Sequence, residues 1–259
     1  MSIPLSLSGK VALISGGSRG IGAATVRMFA AAGAKVAFSY RRARAQAEGL
    51  ARECGGECFS VQSDLNSPEA ARALVAETAG HFGRIDILVA NHGVWPEEDV
   101  GIERMPDDQW RSTLSINLDA VFGLVKHTVA QMKTQPRANG AVGHIVLISS
   151  TSGQRGEAFH CDYSASKGAL ISMTKTLAAE LASADIYVNC VAPGWVDTDM
   201  TSATLADPKT GETIRRTIPL GRVGRPEEIA APVLFLCTEY ASFITGEVFN
   251  VNGGAVLVG

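Results

Sequence analysis

The chain has 259 residues, 46% of them hydrophobic, with 23 basic against 26 acidic side chains for a net charge of −3. A chain of that size can bury roughly three quarters of its unfolded surface, ample for one domain, and a pI of about 6.0 argues against nucleic acid as a partner. No apolar run approaches the roughly 18 residues of a membrane span, so no membrane partner is expected either.

The start, "MSIPLSLSGKVALISGG", lacks a basic leader region and a cleavage pattern. Five scattered cysteines, Cys54, Cys58, Cys161, Cys190 and Cys237, suggest reduced thiols and a cytoplasmic protein. Cys54 and Cys58 flank "GGE" with no further ligand pair nearby, so they read as a turn before a strand. Without linker, repeat or low-complexity run, one domain over 1–259 is expected.

Along the chain, strands and helices alternate. "KVALIS" (10–15) reads as a buried strand and "GIGAATVRMFAAAG" (20–33) as a helix stopped by Gly33. "KVAFSY" (35–40) is a strand, "RAQAEGLARE" (44–53) a helix and "CFSVQSD" (58–64) a third strand. Ser67-Pro68-Glu69 forms an N-cap with proline at the first helical position, and that helix runs to about Phe82. "IDILVAN" (85–91) is the fourth strand, followed by a long helical stretch after Pro106, over 107–135. "HIVLISS" (144–150), a helix over 166–182, "IYVNCVAPG" (186–194), a helix from Pro226 and "EVFNVNGG" (247–254) complete the series. Near-continuous Val/Ile/Leu strands are expected where helices cover both faces. The alternation predicts a doubly wound, seven-stranded parallel sheet, with its site beyond the carboxyl ends of the strands.

"SGGSRGIG" (15–22) joins the first strand to the first helix. Gly16 permits the tight turn, while Gly20 and Gly22 remove side chains where a pyrophosphate and the sheet must approach. The helix N-terminus offers N–H groups and a favourable dipole to phosphates. Ser18, Arg19 and Ile21 complete this dinucleotide-binding turn. At the end of the second strand, "FSYRRAR" has Arg41 and Arg42 where NAD binders place a carboxylate. With Arg19 in the turn, this favours the 2′-phosphate of NADP(H), NAD(H) remaining possible; a solvated helix start is the plain alternative for these arginines.

The chain resembles the short-chain dehydrogenase/reductase family, and within it the 3-oxoacyl-carrier-protein reductases, over nearly its whole length. The matching residues are "SGGSRGIG", "SDL" (63–65), "NHG" (91–93), Asn117 in "SINLDAVF", Ser150, "YSASK" (163–167), "PGWVDT" (193–198) and "FITGEVFNVNGG" (243–254). The resemblance implies a Rossmann-type fold, with Asp64 on the adenine amine and Leu65 supplying a backbone contact. It places Asn91 and Gly93 near the ribose, and Val196 and Thr198, after Pro193-Gly194, at the nicotinamide carboxamide. Asn117, Ser150, Tyr163 and Lys167 match the catalytic tetrad, Ser149 being the lesser candidate for the serine. Three positions depart from the pattern: Ser15 where threonine is usual, His92 where alanine is common, and Ala184-Asp185 where reductases that dock an acidic carrier protein often have arginine.

Tyr163 and Lys167 sit four residues apart, hence on one helix face. Lys167 is expected to lower the tyrosine pKa and, by the resemblance, to hold the nicotinamide ribose. Tyr163 would then protonate a carbonyl oxygen as hydride arrives, Ser150 would hold that oxygen, and Asn117 would anchor a water that resupplies the proton. His160 and Cys161 precede the tyrosine, where pocket lining and plain packing both fit. Trp195, Met200 and the stretch 195–218 are expected to form a substrate lid; Trp110 reads as helix packing. His81, His127 and His144 lack metal-ligand spacing. The expected reaction is NADPH-dependent reduction of a ketone, with a 3-oxoacyl thioester as substrate. Alternatives are a dehydrogenase for a sugar, polyol or other small alcohol, and a nucleotide sensor without catalysis. The resemblance also implies a homotetramer, one interface from helices 107–135 and 163–183 and another from the C-terminal strand region.

Overall fold

Continuous apolar tetrads such as "VALI" and "ILVA" lie in strands whose every residue is buried, because helices cover both faces. A computed structural model describes residues 5–136 and 141–258; the first four residues of the start analysed above lie outside it. In chain order the elements are β1 (Val11–Ile14), α1 (Gly20–Ala31), β2 (Lys35–Tyr40), α2 (Arg44–Cys54), β3 (Cys58–Gln62), α3 (Pro68–Phe82) and β4 (Ile87–Ala90). There follow α4 (Asp107–Leu114), α5 (Ala120–Thr134), β5 (Gly143–Ile148), α6 (Thr151–Arg155), α7 (Cys161–Leu181) and β6 (Ile186–Pro193). α8 (Ser202–Ala206), α9 (Pro208–Thr217), α10 (Pro226–Leu236) and β7 (Val248–Val251) complete the series.

The strands form one parallel sheet in the order β3-β2-β1-β4-β5-β6-β7. Chain direction across the sheet reverses between β1 and β4, so a crevice opens at their carboxyl ends. Alternate strand residues face opposite layers. Ile14, Phe38 and Val89 pack with Val26 and Phe29 of α1 and Val233 of α10. Leu13, Leu88 and Ile145 pack with Leu74 of α3, Leu124 of α5 and Leu170 of α7. Full burial of each such side chain stabilises the fold by about 1.5–3 kcal/mol.

One sequence expectation changes and further helices are added. The helix expected over 107–135 is two helices joined by a π-helical turn at Ser115–Asp119. The wider turn carries Asn117, whose side chain is taken up by Val94 and Ser166; periodicity cannot reveal one extra residue in a turn. The segment after β6 holds two helices, α8 and α9, and Asp207 caps α9 by accepting from the Thr210 N–H at 2.7 Å. The short α6 also went unforeseen; five residues show no period.

Candidate active site

The crevice is a cleft of about 510 Å³. Every residue expected to hold the cofactor lines it, from Gly16, Ser18, Arg19, Gly20, Ile21 and Gly22 through Arg41, Asp64, Leu65, Asn91 and Gly93 to Pro193, Gly194, Val196 and Thr198. Ser150, Tyr163 and Lys167 form part of the same wall, whereas Asn117 lies behind it, fully buried. A second hollow of about 520 Å³ lies outside the glycine turn, between α1, α2 and Asp197–Asp199, and holds none of the tetrad.

The turn itself is held by β2: the Gly16 N–H donates to Ser39 Oγ at 3.0 Å and the Gly17 N–H to the Ser39 carbonyl at 2.8 Å. A Cβ on Gly22 would lie 2.1 Å from the Gly16 carbonyl oxygen, so no larger residue fits. Arg19 occupies the N-cap of α1 with no side-chain cap bond. The first N–H groups of α1 therefore face the cleft, and this end of the helix suits a phosphate. Toward the sheet edge, Arg41 and Asp64 form a salt bridge at 2.9 Å, and Arg19 lies 3.6 Å from Asp199. Neither arginine is a lone cation, a feature the sequence did not indicate.

Ser150 and Tyr163 are brought together by α6 and α7. A Cβ on Gly153 would lie 2.6 Å from the backbone carbon of Lys167, so only glycine lets α6 approach α7 this closely. The Ser149 hydroxyl donates to the Lys167 carbonyl at 2.7 Å, which leaves Ser150 as the serine beside Tyr163. Buried Asp162 braces the start of α7: it accepts from the Thr113 hydroxyl at 2.8 Å and the Gln109 amide at 3.2 Å, while its Oδ1 accepts from the Tyr163 N–H at 2.8 Å. Sequence reasoning missed Asp162, though its place beside the tyrosine was visible.

The tyrosine is not acidified here. Loss of water around it pushes the phenol up to about 12; the nearby Ser150 hydroxyl opposes the rise and the Glu157 carboxylate adds to it. Lys167 is buried, its Nζ donates to the Ile148 carbonyl at 2.8 Å and lies 5.8 Å from the centre of the Tyr163 ring, and burial lowers its pKa to about 8. In the protein alone the phenol thus stands above its ordinary value, enclosure being the largest cause, while the Lys167 ammonium is drawn to a backbone carbonyl. Asn117 has its side chain taken up by neighbours. Its two N–H groups go to the Val94 carbonyl and Ser166 Oγ, and its Oδ1 accepts from the Val94 N–H. The side chain thus braces the cleft wall, and its N–H groups are both engaged.

His92 acquires a definite place. Ser15 Oγ accepts from the Asn91 and His92 N–H groups at 3.0 and 3.2 Å, so its own proton goes to His92 Nδ1 at 2.8 Å. The ring's proton then sits on Nε2, which is buried and finds no hydrogen bond of normal geometry among the described residues, although the Ile116 backbone lies close enough to favour the charged ring. Enclosure, with Lys167 nearby, pushes this histidine down to about 4. His144 is buried in β5 and His81 stacks on Phe59. Among the described residues, no group of three His, Cys, Asp or Glu side chains could hold a metal, and no helix is long and apolar enough to cross a membrane.

Hydride addition to a carbonyl needs a carrier held along one wall and a proton donor on the other. This cleft has that division, and the protein is an NAD(P)-dependent oxidoreductase. Residues 16–256 match the family model described as enoyl-(acyl carrier protein) reductase. The chain is 41% identical to the 3-oxoacyl-[acyl-carrier-protein] reductase FabG of Aquifex aeolicus, over 96% of this chain and 98% of that one. It is 39% identical to the 3-oxoacyl-[acyl-carrier-protein] reductase of Synechocystis sp., over 97% and 99%. Among solved structures, the Pseudomonas aeruginosa RhlG/NADP active-site complex superposes with a TM-score of 0.90 at 33% identity, covering 99% of this chain and 100% of that one. The chain belongs to the short-chain dehydrogenase/reductase family.

Proposed function

We propose that this protein uses NADPH to reduce a ketone to a secondary alcohol, with a 3-oxoacyl thioester as its substrate. The observation that carries this reading is the meeting of Ser150, Tyr163 and Lys167 on the cleft wall across from the glycine turn. The glycine turn and the α1 N-terminus fit a pyrophosphate, and Arg19 and Arg41 line the cleft for a 2′-phosphate. When bound, the nicotinamide supplies the hydride. Tyr163, neutral at physiological pH, donates its proton to the carbonyl oxygen, and Ser150 holds that oxygen by a hydrogen bond. Lys167 holds the ribose hydroxyls and places positive charge behind the phenol as it ionises. Val196 and Thr198 take the carboxamide, Asp64 and Leu65 the adenine, and Asn91 and Gly93 the ribose. The stretch 195–218, with α8 and α9, is the lid, and 1–259 works as one domain in the cytoplasm.

A second reading, a free ketone or sugar in place of a carrier-bound thioester, is favoured by charge. Past Val94 the chain leaves the cleft wall through Glu97, Glu98, Asp99 and Glu103, all exposed. Glu97 and Glu98 form no ion pair among the described residues. This loop repels an acidic carrier protein, and Ala184 stands where reductases that dock such a carrier often have arginine. The test is NADPH consumption by purified protein over acetoacetyl thioesters, free ketones and sugars. Fastest turnover of the thioester supports the first reading, and fastest turnover of a free ketone the second. NADPH binding with no turnover of any of them would leave a nucleotide sensor.

A further inference from the structure

His160 is almost fully enclosed, at 3% exposure, and the reaction as derived gives it no task. It lies three residues before Tyr163, at the N-cap of α7. Its Nε2 faces the Pro96 carbonyl at 2.9 Å and its Nδ1 faces the Ala158 carbonyl at 3.1 Å. Both partners are acceptors only. A neutral imidazole has one N–H, so it satisfies one of these contacts; the imidazolium satisfies both.

The surroundings accept a cation. Asp99 Oδ1 and Glu157 Oε1 stand 3.9 and 4.0 Å from Nδ1. The ring stacks on Trp95, with centroids 5.1 Å apart and planes within 11°, an arrangement that also favours positive charge. The same loop also carries Glu97 and Glu98, followed by the paired Glu103 and Arg104, and the first two turns of α7 carry Asp162 and Lys167. Asp162 is turned to Thr113 and Gln109, and Lys167 to the Ile148 carbonyl.

What His160 joins is the substrate end of the cleft. The loop it grips leaves the wall at Val94. Trp95 on that loop meets Trp195 edge-on, with centroids 5.8 Å apart, and Trp195 lies between the lining residues Gly194 and Val196. The loop is tied a second time, the Val100 N–H donating to the Phe159 carbonyl at 3.2 Å. Phe159 holds a left-handed backbone conformation, φ 68°, and is half exposed. Such strain in a bulky residue persists only where neighbouring contacts impose it.

We propose that His160 is a positioning residue: its enclosed ring, held between the Pro96 and Ala158 carbonyls, pins the Trp95–Val100 loop, with the Trp95–Trp195 pair, against the start of α7 beside Tyr163. This rests on Tyr163 as the proton donor of the reading above. Loss of the ring's N–H donors frees the loop and loosens the wall that meets the ketone, leaving the cofactor half of the cleft unchanged.

Two measurements on the full chain decide it. His160→Phe keeps a ring on Trp95 and removes both N–H donors. The first is acrylamide quenching of tryptophan fluorescence: a freed loop should make Trp95 at least about twofold more accessible in His160→Phe, and the difference should vanish when Trp95→Phe is added. Equal quenching of wild type and His160→Phe overturns the proposal. The second is the ketone KM, which should rise at least about threefold in His160→Phe with NADPH Kd within about twofold of wild type, and should be partly restored in His160→Gln, whose amide keeps an N–H donor. An unchanged ketone KM, or an equal loss of NADPH affinity, overturns it. Should no ketone be turned over at all, the reading of function fails, and the quenching difference still decides the clamp.

Discussion

Nε of Arg41 lies 2.9 Å from Oδ1 of Asp64, so the side chain proposed for the 2′-phosphate and the one proposed for the adenine hold each other. Both are about half exposed, 50% and 47%, and a pair in such surroundings is worth about 0–1 kcal/mol. A phosphate with close to two charges can redirect the guanidinium at that small cost. Wild type should prefer NADPH over NADH by about tenfold or more in kcat/KM at low salt, and added salt should erode the preference. Arg41→Asp should shrink or invert it, chiefly through NADPH affinity. Equal use of both cofactors by wild type at low salt would remove the assignment and leave Arg41 as a surface partner of Asp64.

Tyr163→Phe keeps the ring in place and removes the proton. NADPH should bind within about twofold of wild type, while kcat for ketone reduction falls by about 10²–10⁴. Retention of more than about a tenth of kcat, with chemistry shown to limit the rate, contradicts the role of Tyr163.

Lys167 couples function to stability. Burial sets its folded pKa at about 8, below the ordinary 10.5. Between those values the unfolded chain binds the extra proton, so this group's contribution to stability rises with pH across that window. At pH 7 the buried charge costs about 3 kcal/mol, partly offset by its hydrogen bond to the Ile148 carbonyl. Lys167→Met should therefore lose turnover by about 10² or more and melt no lower than wild type at pH 7. A melting point more than about 5 °C lower would show the ammonium to be a net stabiliser.

His92 and His144 are both pushed down to about 4 by burial. The unfolded chain protonates them near 6.5, so their share of stability is complete above that value and is lost as pH falls through about 4. Each accounts for up to about 3 kcal/mol. The urea midpoint should drop between pH 7 and 4.5, and His144→Gln should flatten the drop. A midpoint that does not move over that range argues against neutral buried rings.

Assembly is proposed as a homotetramer. Apolar side chains are exposed on α4 and α5, at Trp110 and Phe122, and toward the C-terminus, where Phe243 and Leu257 are 102% and 89% exposed. Sedimentation at micromolar concentration should give four times the chain mass; a mass of one chain would refute it.

The helix starts legible in sequence carry local signals. Ser67 caps α3 by accepting from the Ala70 N–H at 3.2 Å, and Gly83 ends it in a left-handed turn. Burial on both faces likewise showed in the strand composition. The cofactor turn was legible because its glycines answer to local backbone geometry: Gly16 and Gly20 hold φ of 67° and 52°, and a Cβ on Gly22 would meet the Gly16 carbonyl. Asn117 illustrates the opposite case, since its helix was foreseen and the π turn that aims it at Val94 was not.

Sequence by itself determined the parallel α/β layering, the crevice at the strand ends and the residue types available to line it, because period, turn glycines and caps are local properties of a chain. Tertiary structure alone decided the electrostatics: that Tyr163 is raised while Lys167 is lowered, that Arg41 faces Asp64, that Ser15 sets the tautomer of His92, and that His160 meets two carbonyls. Each depends on groups such as Asp64, Ser15 and Pro96, which lie 23, 77 and 64 positions along the chain from their partners. Loss of water and the direction of a backbone carbonyl leave no mark on residue order, and these two effects govern charge in this cleft.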